Sequence, residues 1–99
     1  MEMHATFETN SAVRHMAALC HHFGRKVDAQ CDGATGSAVF PFGRCDLVAD
    51  DTSLKLHVSA DDTAGLERAV QVVTSHLERF AFRERPELVW RSAAQDAPV

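Results

Sequence analysis

Leu54-Lys55-Leu56-His57-Val58-Ser59-Ala60, running into Asp61-Asp62, decides the fold. Apolar residues fill every second position from Leu54 to Ala60, with Lys55, His57 and Ser59 between them. That is the period of a strand with one dry face and one wet face. Beyond Asp62 the period changes. Leu66, Val70, Val73, Leu77 and Phe80 recur at helical spacing, while Glu67, Gln71, Ser75 and Glu78 take the opposite side. The pattern predicts an amphipathic helix over about 63–80, capped by Asp61 or Asp62, with the acid at its positive end. A half-wet strand feeding a one-sided helix calls for two layers.

The same alternation recurs upstream. Cys45, Leu47 and Ala49 alternate with Arg44, Asp46 and Val48; Ala38, Phe40 and Phe42 with Ser37 and Val39; Val27, Ala29 and Cys31 with Asp28 and Gln30. Asp50-Asp51-Thr52 and Asp32-Gly33-Ala34-Thr35-Gly36 are turn material, and Pro41 with Gly43 bends the chain. Nearer the start, Ala5, Phe7 and Thr9 share one side of a short strand. Asn10 or Ser11 then caps a helix over about 12–25 that presents Ala12, Met16, Leu19, Cys20 and Phe23 together and ends at Gly24. Pro86 precedes a last strand over 87–91, and residues 92–99 read as a frayed tail after a single domain, 1–91. The order β-α-β-β-β-β-α-β, with short turns, predicts an α+β two-layer sandwich: a curved antiparallel sheet with two helices on one face. It resembles the TATA-binding-protein-like and helix-grip folds.

Composition bounds function. With 99 residues the chain is one domain, far short of the roughly 250 of a (β/α)₈ barrel. Its net charge of −4 offers no counterion-release term for nucleic acid. No apolar run is long enough to span a membrane, and the start Met1-Glu2-Met3-His4 does not read as a signal peptide, so none is expected. Cys20, Cys31 and Cys45 cannot pair without remainder and show no CxxC spacing, so the cytoplasm is the expected compartment. No dinucleotide, phosphate-loop, serine-hydrolase or zincin motif is present, and no cofactor is indicated.

Six His in a chain this short are its most unusual feature; charging them all would reverse the sign of the net charge. His15 and His22 lie seven apart on the first helix, and His76 borders the stripe of the second. If both helices cover one sheet face, the His22 and His76 edges meet in the groove between them. Neutral imidazoles there could take a transition metal or a ligand carboxylate, or be satisfied by structural hydrogen bonds. Phe40-Pro41-Phe42-Gly43-Arg44 reads as a hairpin corner with core aromatics, or as a ligand-lining corner where Arg44 meets an anion. In 76–85 aromatics and cations mix. Phe80 and Phe82 are expected as core anchors, and Arg83-Glu84-Arg85 could cap the mouth of an anion site. Glu78, Glu84 and Glu87 interrupt any basic face, so nucleic acid is excluded again.

Three segments, Leu19-Cys20-His21-His22-Phe23, Phe40-Pro41-Phe42-Gly43-Arg44-Cys45 and Ser75-His76-Leu77-Glu78-Arg79-Phe80-Ala81-Phe82-Arg83-Glu84, together with Trp90, resemble a bacterial family of uncharacterised proteins, domain of unknown function 2218. The likeness runs from about Ala5 to Arg91. It implies a small bacterial α+β domain, sometimes joined to a flavin-binding siderophore-interacting reductase, which hints at iron or siderophore handling. An aldolase label carried by some members is rejected for a chain of this length. By motif position the resemblance picks out His22, Arg44, His76, Arg79 and Glu84, without assigning their roles.

Three functions compete. First stands a module that binds a small anionic or metal-bearing ligand between sheet and helices, with His22, His76 and Arg44 at the mouth. Close behind is a homodimeric assembly module with no ligand, joined through the wet sheet face or near Trp90. An enzyme ranks last. His76 and Glu84 are eight residues apart across a helix end, and no nucleophile or oxyanion feature accompanies them.

Overall fold

A computed structural model describes residues 1–92. The elements are β1 (Glu2–Glu8), α1 (Ala12–Phe23), β2 (Asp28–Asp32), β3 (Thr35–Phe40), β4 (Gly43–Ala49), β5 (Ser53–Ser59), α2 (Thr63–Phe80) and β6 (Arg91–Ser92), with a 3₁₀ turn at Phe82–Glu84. The order is the expected β-α-β-β-β-β-α-β. All strand pairings are antiparallel, and the sheet order is β2-β3-β4-β5-β1-β6. From β1, α1 crosses the sheet to its far edge at β2. α2 brings the chain back from β5 to the opposite edge, where β6 pairs with β1.

Alternation chooses the faces. Ala5 and Phe7 on β1, Ala38 and Phe40 on β3, Cys45, Leu47 and Ala49 on β4, and Leu54, Leu56 and Val58 on β5 all point inward and are buried. They meet Met16, Leu19, Cys20 and Phe23 of α1 and Leu66, Ala69, Val73 and Leu77 of α2 in one core. Both helices therefore lie on the same sheet face, because only that face is apolar.

Caps and turns are built from local chemistry. Asp62 is the α2 cap, accepting from the Gly65 N–H at 2.7 Å. Asp50 closes the β4–β5 turn by accepting from the Thr52 and Ser53 N–H groups at 2.9 and 2.7 Å; these bonds hold its carboxyl below the usual range. Ser11 precedes α1 but its side chain caps nothing. The Thr9 hydroxyl instead accepts from the Ser11 N–H at 3.1 Å.

Several boundaries depart from expectation. The turn expected over 32–36 shrinks to Gly33-Ala34, because Gly33 takes φ +61 and permits a two-residue hairpin. α1 stops at Phe23 rather than Arg25; Arg25 and Lys26 donate instead to His22 and Phe23 carbonyls three residues back. Residues 87–90 form no strand. Leu88 and Trp90 do pack on the core, but the Trp90 indole N–H donates to Thr74 Oγ1 at 2.9 Å, tying this stretch to α2 rather than to a ladder. Pairing begins only at Arg91 and Ser92, opposite His4 and Met3. Ser92 thus belongs to the sheet, not to the expected tail, whose remaining residues 93–99 lie outside the described residues. Phe82 is no core anchor: it is 66% exposed, with the Arg83 guanidinium 5.8 Å from its ring centre.

Candidate functional site

α1 and α2 bring their C-terminal halves together. His22 and His76 meet there with ring centroids 4.6 Å apart. Phe80 stands edge-on to His22 at 5.6 Å, and Phe23 stands edge-on to His76 at 5.1 Å. Behind them Phe23 packs on Phe40, and Phe40 stacks on Phe42. The two imidazoles therefore cap an aromatic column rising from the core.

Their protonation follows from their surroundings. The His76 Nδ1–H donates to the Val72 carbonyl at 2.6 Å, which leaves Nε2 carrying the lone pair in the neutral ring. His22 is held below its ordinary pKa of 6.5, first by burial, then by His76, and then by the positive charges of Arg25, Arg79 and Lys26. The depressed His22 thus feels three cations, Arg25, Arg79 and Lys26, on a chain whose net charge is −4. From His76 a shallow groove of about 590 Å³ follows α2 past Val72 and Gln71 to Arg68 and Ala64.

Of the five residues picked out in the sequence, His22, His76 and Arg79 belong to this patch. Arg44 does not. Its neighbour Cys45 points into the core, so Arg44 projects from the opposite face of the sheet. There it pairs with Asp46, Nε to Oδ1 at 3.0 Å, within a row of polar contacts in which His57 Nε2 lies 2.9 Å from Glu2 Oε1 and His57 Nδ1 lies 3.9 Å from Asp46. Arg44 also borders a hollow of about 760 Å³ at the sheet end, shared with Phe42, Gly65 and Arg68, whose guanidinium lies 5.0 Å from the Phe42 ring centre.

Glu84 is elsewhere again. Its carboxylate accepts from the Thr9 hydroxyl and from His15 Nε2–H, and these two bonds hold its pKa below the usual range. It therefore does not serve His76. His15 is 5% exposed and packs against Phe7 at 5.9 Å. Seven positions before His22 on α1, it is a core residue rather than part of the His22–His76 patch. Its spacing from Ala12 and Leu19 on the apolar stripe was the available signal. Arg25 and Lys26 also act on His22; a basic pair just past a helix end is their signal in the sequence. Among the described residues no three His, Cys, Asp or Glu side chains cluster to hold a metal ion, and no helix is long and apolar enough to cross a membrane.

A family model described as "Uncharacterized protein conserved in bacteria (DUF2218)" matches residues 4–91. The chain belongs to this family. The fold of this DUF2218 domain is shared by a solved structure titled "NMR structure of PA4090 from Pseudomonas aeruginosa": TM-score 0.79, 28% identity, covering 93% of this chain and 96% of that one. No curated protein matches it.

Proposed function

We propose that this DUF2218 domain is a non-catalytic binding module of the bacterial cytoplasm that takes a small anionic metal chelate at the His22–His76 patch. The observation that carries this reading is the approach of the two rings to 4.6 Å within the field of Arg25, Lys26 and Arg79. Neutral imidazole nitrogens offer ligands to a transition metal with open coordination sites. Cations around them favour a chelate whose organic part is negative. The part-exposed Phe80, edge-on to His22, supplies apolar surface for an aromatic chelator, with buried Phe23 backing the rings from the core. The family's association with siderophore-interacting reductases, implied by the resemblance of its motifs, makes a ferric siderophore of the catecholate type the ligand to try first. Three free thiols suit a reducing compartment.

Thermal shift with a ferric catecholate chelate and with Zn²⁺ alone tests the reading. A ligand at a hundred times its Kd adds about 2.7 kcal/mol to stability. Stabilisation by the chelate, removed in His22→Ala/His76→Ala and weakened in Arg79→Ala, is expected. Zn²⁺ is expected to depend on the imidazoles but not on Arg79. Equal, negligible shifts in wild type and double variant would remove the reading. Light scattering on the same samples bears on the competing one, self-association through the open sheet face, where Val39 and Val48 are about half exposed. That reading needs a dimer without ligand.

A further inference from the structure

Independently of the ligand patch, the geometry points to Cys20 and Cys31 as an intramolecular disulfide that forms when the domain meets a peroxide. Cys31 lies on β2, an edge strand with one neighbour. On that strand Ala29 pairs with buried Ala38, so Cys31, two residues on, turns its side chain toward the same helix-covered face. Its cross-strand partner is Gly36, which has no side chain to fill the space between β3 and α1. Cys20 fills it from above. Its sulfur sits 3.6 Å from the Gln30 carbonyl and would lie 2.8 Å from a Cβ placed on Gly36. The two sulfurs thus converge over one glycine, one from the helix layer and one from the sheet edge.

Exposure divides the roles. Cys31 is open to solvent, Cys20 is buried beside it, and Cys45 is sealed in the core. Burial first, and then the neighbouring Cys31, push the Cys20 thiol up to about 11; burial pushes Cys45 up to about 12. The exposed Cys31 is therefore the thiol that the oxidant reaches first, and the buried neighbour Cys20 the one that resolves it. The Cys31 thiolate attacks one peroxide oxygen, the O–O bond breaks, and sulfenic acid and water result. The Cys20 sulfur then attacks the Cys31 sulfur. The S–S bond forms, the sulfenic hydroxyl leaves, and with the Cys20 proton it becomes a second water. Two thiols have lost two electrons and one peroxide has gained them. The product staples α1 to the sheet edge and is undone by dithiol.

The test is to treat the full chain with a few equivalents of hydrogen peroxide and then alkylate it in denaturant. Wild type is expected to lose two hydrogens in intact mass, with no covalent link between chains. Only Cys45 should remain alkylatable, a peptide map should join Cys20 to Cys31, and dithiothreitol should restore all three thiols. In Cys31→Ser, at an exposed position, both Cys20 and Cys45 should stay alkylatable after peroxide. Cys45→Ser should still form the cross-link. Three alkylatable thiols in treated wild type, oxygen added at Cys31 without cross-link, or a disulfide between chains would each overturn the proposal.

Discussion

The Glu84 carboxylate closes on the ring of His15, 69 positions earlier in the chain, and holds it at the edge of the core. His15 Nε2–H and the Thr9 hydroxyl donate to separate oxygens of the one carboxylate. The segment leaving α2 is thereby latched to the start of α1. A buried imidazole that would otherwise leave a donor without a partner is satisfied.

Glu84→Gln is expected to lower stability at neutral pH by about 1–2 kcal/mol. Charge-assisted bonds contribute about 1.5–3 kcal/mol each way, and the half-open setting of Glu84 screens part of that. The folded carboxyl lies below its unfolded pKa, so its contribution is present above about pH 4.3. It fades as pH falls through the lower folded value. Urea midpoints of wild type and variant should therefore separate at pH 7 and converge in acid. Identical midpoints at pH 7 would show that the latch adds nothing.

His22 should titrate below 6.5 when followed by NMR of its ring protons. Its folded pKa is depressed, so below about pH 6.5 the unfolded chain takes up a proton that the folded chain refuses. Stability contributed by this site falls as pH drops from there to the folded midpoint. His76→Gln removes one of the causes and should raise the His22 midpoint part of the way, leaving the shift due to burial and to Arg25, Arg79 and Lys26. A His22 midpoint unchanged in His76→Gln would mean the rings do not sense each other.

Two glycines are required by close backbone contact. A Cβ on Gly43 would meet the Ser59 oxygen at 2.6 Å, and one on Gly65 would meet the Phe42 oxygen at 2.5 Å. Backbone cannot step aside cheaply, so Gly43→Ala and Gly65→Ala should each cost about 1–3 kcal/mol in chemical denaturation. In the first turn of α2, where alanine is otherwise the better helix former, a stabilising Gly65→Ala would contradict this geometry.

Trp90→Phe keeps a ring but deletes the donor to Thr74. A loss of about 1 kcal/mol is expected, with faster amide exchange at Arg91 and Ser92, which this anchor precedes in the short β6 pairing. Exchange at β6 unaltered from wild type would show that its pairing does not depend on the indole bond.

Much of the architecture could be read locally. The bounds of α2 and its Asp62 cap follow from a change of hydrophobic period at one point in the chain. The inward residues of β1, β4 and β5 follow from alternation, because a pleated strand sends neighbours to opposite faces. That both helices cover one face, and so bring His22 to His76, follows from there being only one apolar face to cover. Local pattern also speaks against Arg44 as a groove residue, since an inward Cys45 sends Arg44 outward. Partners were another matter. That Glu84 takes His15 and Thr9 rather than His76, that Trp90 anchors to Thr74 instead of starting a strand, and that Cys31 comes under Cys20 across Gly36 depend on the order β2-β3-β4-β5-β1-β6. Short-range periodicity records which face a residue takes. Which distant residue it meets there is settled only when the whole core packs and places every strand and helix end beside its neighbours.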